Sequence, residues 1–261
     1  MSASLARRRI LVTRAPEQAA ELVAALEAEG AAVELVPMIA FGPPSSWEAA
    51  DRALGTLERY DAALFTSANA VDRFWTRLEE RVGSCDDIVW PARVRVFAVG
   101  PKTASALAAK GITPEEVPAA HRGAALGRAA ADALAPVAGR RVLLPRAEEG
   151  RDEAAAALTA AGALVDIAPV YRTVAPAGAR SALEAALARG AFDASIFASP
   201  SAVTHAADAL GSAARASLAR VVAIGPTTAE AAAARGLSAA AVADGATPSD
   251  LVAAVVRALS G

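Results

Sequence analysis

Two similar α/β halves, each a parallel β-sheet covered by helices, are what this 261-residue sequence predicts. Three observations carry that reading. Short β-rich runs alternate with alanine-rich helical runs along the chain. An offset of 132 residues superimposes Arg14 on Arg146, Gly30 on Gly162, Pro37 on Pro169 and Ser67 on Ser199. A Gly-Pro-x-Thr corner also occurs twice, in "AVGPKTASALAAKG" (98–111) and "AIGPTTAEAAAARG" (223–236). Two units make a pseudo-symmetric pair rather than a solenoid.

The first half opens with "RILVTRA" (9–15), a buried-strand candidate. "PEQAAELVAALEAEG" (16–30) follows as a helix, with Pro at its start, Gly at its stop, and Leu22, Val23 and Leu26 on its apolar face. "AVELVPMIAF" (32–41) is extended and interrupted by Pro37. "DAALFTSANAVDRFW" (61–75) and "VRVFAVGPKTASALAAKG" (94–111) each read as strand, corner, helix. In the second half, "RVLLPRAEEGRDEAAAALTAAG" (141–162) matches the opening unit, and "FDASIFASPSAV" (192–203) matches "YDAALFTSANAV" (60–71). The third pair shifts: Gly100 and Gly225 are 125 apart, and the missing seven residues fit a surface loop at 85–91. Repeat spacing alone cuts the chain near 136–139.

With 54% apolar and 21% charged residues, the chain is globular. A formal net charge of -2 gives no basic field for nucleic acid or an anionic membrane. Cys85 is the only cysteine, which excludes an internal disulfide and a cysteine zinc site. His121 and His205 have no neighbouring ligand residues in sequence, so no metal site is expected. No run approaches the ~20 apolar residues of a membrane span. The basic start "MSASLARRRILVTRAP" precedes too short an apolar run for a signal peptide. The expected location is the cytoplasm.

Ligands of parallel α/β sheets bind beyond the carboxyl ends of the strands. The corners there come in matched sets: Arg14 with Arg146, Ser67 and Asn69 with Ser199 and Ser201, and Gly100, Lys102 and Thr103 with Gly225, Thr227 and Thr228. Each corner taken singly is an ordinary helix start, with Gly to turn, Pro at the first position and Ser or Thr as a cap. The same atoms attract carboxylate or phosphate, because helix N-termini carry free N–H groups and partial positive charge. Recurrence in both halves favours a cleft for a polyanion. Tyr171, in "APVYRTVAP" (168–176), is a candidate proton donor, since a phenol is neutral at pH 7. Aromatic packing is its bland alternative. Neither G-x-x-x-x-G-K-[ST], G-x-G-x-x-G after the opening strand, nor G-x-S-x-G is present, so nucleotide and serine-hydrolase chemistry is unsupported.

The ordered segments "ILVTRA", "FTSANAV", "AVGPKTASAL", "VLLPRA", "APVYRT", "FASPSAV" and "AIGPTTAEAA" together resemble the uroporphyrinogen-III synthase family, and "TPSDLVAAVV" (247–256) is similar to its C-terminal helix. The resemblance implies two pseudo-symmetric flavodoxin-like lobes that exchange their first strand–helix units and are joined by a two-strand connector. One lobe holds residues 1–38 and 172–261, the other 42–168, with connectors at 37–41 and 169–173. It implies cyclisation of hydroxymethylbilane to uroporphyrinogen III, with ring D inverted, water lost, and no metal or cofactor used. Substrate and product each carry eight carboxylates, in keeping with a cleft of helix starts. Tyr171 takes the place of the family tyrosine thought to help the terminal hydroxyl leave, and Thr103 and Thr228 face the cleft. A monomer with no nucleic-acid or membrane partner is expected. The competing reading is a two-lobed, non-enzymatic protein that binds a small anion.

Overall fold

Strand β1 (Arg9–Val12) runs into helix α1 (Pro16–Ala28) and returns as β2 (Ala32–Leu35) in a computed structural model that describes residues 4–83, 89–115 and 123–260. Cys85 and His121, and most of the loop expected at 85–91, lie outside the described residues. The chain continues through β3 (Ala40–Gly42), α2 (Glu48–Leu54), β4 (Ala62–Phe65), α3 (Ala68–Val82), β5 (Arg95–Ala98), α4 (Pro101–Ala108) and α5 (Gly123–Ala133). Next come β6 (Arg141–Ala147), α6 (Glu153–Ala160) and the long β7 (Leu164–Val174). The remainder is α7 (Ala179–Ala188), β8 (Ala194–Phe197), α8 (Pro200–Ala209), the short α9 (Ser212–Arg215), β9 (Arg220–Ala223), α10 (Pro226–Ala234), β10 (Ala239–Val242) and α11 (Pro248–Ser260).

These elements form two compact units, Met1–Ala40 with Thr173–Gly261, and Phe41–Arg172. Residues 136–139, where repeat spacing alone cuts the chain, are internal to the second unit, because contacts cluster across that loop rather than break at it.

The first unit carries a five-stranded sheet in the order β10-β9-β8-β1-β2, with every described pair of neighbours parallel. Counted within the unit this is the doubly wound 2-1-3-4-5 order, whose switch point lies between β1 and β8. Ile10, Val12, Ala194, Ile196 and Val222 form a core with Leu22 and Leu26 of α1 and with Leu251 and Val255 of α11. Helix α1 buries Ala19, Leu22 and Leu26, the i, i+3, i+7 stripe of an amphipathic helix, while Val23 is half-buried. At the start of α11, Thr247 Oγ1 accepts from the Asp250 N–H at 3.2 Å and the Thr247 N–H donates to Asp250 Oδ2 at 3.1 Å. That reciprocal pair is a capping box.

The second unit repeats the pattern as β3-β7-β6-β4-β5. Its β4 is buried on both faces and divides by alternation. Ala62 and Leu64 join the cluster of Leu126, Val142, Leu144 and Leu158, whereas Ala63 and Phe65 join that of Phe74, Trp75, Leu143 and Val170. Beyond β5, Phe97 makes a parallel bridge to Glu115, the last residue described before 123. Left-handed glycines end matching helices in both units: Gly30 (φ 84°) with Gly162 (φ 98°), and Gly111 (φ 76°) with Gly236 (φ 74°).

Candidate active site

Ser67 and Ser199 stand just beyond the ends of β4 and β8. Both are extended, at φ −160°, ψ 153° and φ −162°, ψ 155°, and both cap the following helix. Each Oγ accepts a backbone N–H at 3.1 Å, from Ala70 and from Ala202. The structural role expected of these serines is therefore present in both units.

Among the described residues, Ser67 but not Ser199 has a second hydroxyl within hydrogen-bond distance. Tyr171 OH lies 3.3 Å from Ser67 Oγ, with 8% of the tyrosine exposed. A break in register aims that phenol. Strand β7 pairs Pro169 with Arg146 and Tyr171 with Ala147, so Val170 is bulged out. The bulge makes two consecutive residues, Val170 and Tyr171, buried where strict alternation would expose one. The ring of Phe41 meets the Tyr171 ring edge-on, with centroids 5.5 Å apart and planes at 88°. Tyr171 O accepts from the Glu148 N–H at 2.8 Å. Glu148 in turn accepts from the Ser45 N–H at 2.8 Å, and Arg172 Nη1 donates to Ser45 Oγ at 3.2 Å. The Ser45 backbone bond holds the Glu148 carboxyl below its ordinary range. Phe41, Ser45 and Glu148 escape sequence reasoning. Ser45 and Glu148 are 103 residues apart, and neither sits in a repeated motif.

The other candidates divide by burial. Asn69 and Ser201 are half-buried in the first turns of α3 and α8, and Gly100 and Gly225 are half-buried and extended at the starts of α4 and α10. Thr103 and Thr228 are 4% and 1% exposed, whereas Lys102 and Thr227 are exposed. Arg14 is half-buried, and burial lowers its pKa against the smaller opposing pull of Glu21. Arg146 is buried and paired with Asp152 at 2.7 Å. Thr13, next to Arg14, is fully buried and its Oγ1 donates to Ile196 O at 2.8 Å, tying β1 to β8. His205 Nδ1 lies 2.7 Å from Met38 O, a backbone contact. Among the described residues no group of three or more His, Cys, Asp or Glu could hold a metal ion, and no helix is long and apolar enough to cross a membrane.

Two doubly wound units in one chain, with serine-capped corners and a phenol at one of them, define a class of paired flavodoxin-like α/β proteins. Within that class, the family model described as Uroporphyrinogen-III synthase HemD matches residues 20–253. The chain belongs to the uroporphyrinogen-III synthase family, a lyase family that cyclises hydroxymethylbilane in tetrapyrrole biosynthesis. A uroporphyrinogen-III synthase of Synechococcus elongatus is 38% identical over 168 residues, and the match spans 64% of this chain and 61% of that protein. One from Chlorobaculum parvum is 28% identical over 220 residues, spanning 84% of this chain and 86% of the relative. The crystal structure of a mutant uroporphyrinogen III synthase from the extreme thermophile Thermus thermophilus superimposes with a TM-score of 0.61 at 22% identity, over 97% of this chain and 99% of that one. That likeness is one of fold. Membership of an enzyme family favours the cyclising reading over a non-enzymatic anion binder.

Proposed function

We propose that this chain closes hydroxymethylbilane into uroporphyrinogen III, inverting ring D and releasing one water. Family membership supports the reaction class. The observation that carries the chemistry is the hydroxyl pair of Tyr171 and Ser67, 3.3 Å apart at the carboxyl ends of β7 and β4.

In this proposal Tyr171 gives its phenolic proton to the terminal hydroxyl of the bilane as the C–O bond breaks and water departs. The ring D carbon that already carries the bridging methylene captures the resulting cation, its bond to that methylene then breaks, and the methylene cation so formed bonds to the free α-carbon of the turned ring. The ring carbon that forms the final bond gives up its proton, which restores the phenol. One water is lost overall, and nothing is oxidised or reduced. Ser67, already fixed as a helix cap, orients the phenol. The free bilane closes to the other isomer, so the larger contribution of the protein is orientation of the chain before closure.

Helix starts supply the grip on the carboxylates. We assign Asn69, Gly100, Lys102 and Thr103 to this task in the second unit, and Arg14, Ser199, Ser201, Gly225, Thr227 and Thr228 in the first. The same reading has the two units act as lobes joined through 37–41 and 169–173. It has the protein work in the cytoplasm as a monomer, without metal or cofactor. The test supplies freshly made hydroxymethylbilane and resolves isomers I and III. Isomer III is expected; isomer I alone, as in the enzyme-free control, rejects the proposal.

A further inference from the structure

The doubled architecture sets two arginines at matching places and treats them differently. Arg14 follows β1 and Arg146 is the last residue but one of β6, each the inner strand at the switch of its sheet. The charge of Arg146 is neutralised locally. Its Nη2 lies 2.7 Å from Asp152 Oδ1, and its Nη1 donates to Gly150 O. This clamp exists because β6 does not run straight into its helix. Residues 148–152 intervene before α6 begins at Glu153, and they turn back over the guanidinium. Gly150 is required at that bend: a Cβ there would stand 2.9 Å from Ala147 O and 3.0 Å from Arg146 Cδ.

The first unit has no such loop. Pro16 opens α1 two residues after Arg14. At the 132-residue offset, the positions of Gly150 and Asp152 are taken by Gln18 and Ala20, both already helical. The Nε of both arginines is sealed from solvent without a partner, but among the described residues Arg14 makes no hydrogen bond and no ion pair through its other nitrogens either. Glu21, which acts on it through space, is exposed. A guanidinium stays charged at any working pH. A partly desolvated cation without a counter-ion is a poor structural element and a good anion receptor. Its planar fork matches a carboxylate.

We infer that Arg14 is the arginine that docks a carboxylate of the substrate, and that its counterpart Arg146 is a structural residue holding the 148–152 loop. The carboxylate follows from the geometry; its identity as a substrate group rests on the proposed function. The test compares Arg14→Gln with Arg146→Gln in the full chain, by steady-state kinetics on hydroxymethylbilane and by thermal melts with and without citrate as a tricarboxylate probe.

Arg14→Gln is expected to raise KM about tenfold or more. Its kcat should stay within about threefold, its Tm at or above wild type, and its stabilisation by citrate should disappear. Arg146→Gln is expected to lower Tm while keeping the citrate shift and raising KM less than about threefold. Arg14→Lys should recover part of the KM effect, as a point charge without the fork. Equal KM effects in the two Gln variants, or an effect in Arg146→Gln alone, overturn the inference. If the wild type makes no isomer III, the proposed function falls, and the citrate arm still decides: an undiminished citrate shift in Arg14→Gln overturns the role of Arg14.

Discussion

Replacing Tyr171 by Phe separates chemistry from packing. The phenol touches Ser67 Oγ at 3.3 Å, beyond the usual O–H···O range of about 2.5–3.0 Å, so its loss costs under about 1 kcal/mol of stability. Ser67 keeps its bond from the Ala70 N–H, and the ring keeps its edge-on contact with Phe41. At the size of this chain, that stability loss corresponds to a Tm shift of about 2–4 °C at most. The kinetic effect is expected to be far larger. A positioned general acid contributes roughly 10²–10⁴ in rate. Because the bilane also reacts unaided, the lower end applies, a fall in kcat of about 10²-fold, or about 2.7 kcal/mol of barrier. The assay follows uroporphyrinogen III formed from fresh hydroxymethylbilane, with the melt recorded on the same preparation. Ser67→Ala serves as the contrast. It removes the cap of α3, at about 0.5–2 kcal/mol, and should lower Tm more and turnover less than Tyr171→Phe. Tyr171→Phe turning over at the wild-type rate would refute the proton-donor role.

Three further outcomes follow from the same geometry. Asp61 and Asp193 sit at the 132-residue offset, and each accepts a backbone N–H, from Arg141 at 2.9 Å and from Arg9 at 2.8 Å, with an arginine side chain on the other oxygen. Burial alone would push both carboxyls up, but these bonds outweigh it and both pKa values fall below the ordinary one. Their stabilisation is present above the unfolded value of about 3.9 and is lost as pH falls through the lower folded values. The Tm of the wild type should therefore drop faster below about pH 4 than that of an Asp61→Asn/Asp193→Asn double variant; parallel curves would remove these pairs from the acid transition. Tyr60 is 2% exposed and donates to Asp166 Oδ2 at 2.9 Å, and burial first, then that carboxylate, pushes its phenol up to about 12. Its contribution is full below the unfolded value of about 10 and is lost as pH rises from there through about 12. Ultraviolet titration of wild type against Tyr60→Phe should show this phenol ionising near 12, and ionisation near 10 would contradict the buried pair. Gly127 of α5 faces α6 so closely that a Cβ would lie 2.6 Å from Ala154 O. Gly127→Ala should cost about 1–3 kcal/mol or more by forcing the helices apart, and an unchanged Tm would contradict that packing.

The parts of this molecule legible in sequence are those that local chemistry repeats. Ser67 and Ser199 read as caps because a hydroxyl before a helix has one favourable use, and their backbone angles agree within two degrees. The left-handed glycines at 30, 162, 111 and 236 read as helix stops for the same local reason. What stayed hidden depends on contacts distant in sequence or on a break in the repeat. The bulge at Val170 needs the register of β6 against β7, and the Ser45–Glu148 bond joins residues 103 positions apart.

The breaks gather where the strands end at their carboxyl side. Ile39 stands at the position that Tyr171 holds in the other unit. Arg14 is unpaired where Arg146 is clamped, and Thr227 replaces Lys102 at the repeated Gly-Pro corner. Residues that build a strand or start a helix are needed in both units, because each unit must bury its own core. A ligand with one leaving hydroxyl needs a single proton donor, so a phenol in one unit and an apolar side chain in the other is the arrangement that one reaction per chain requires. The differences between the repeats, more than their likeness, therefore mark the residues to test for function, and Arg14 and Tyr171 come first because each differs from its counterpart in a way the fold itself does not demand.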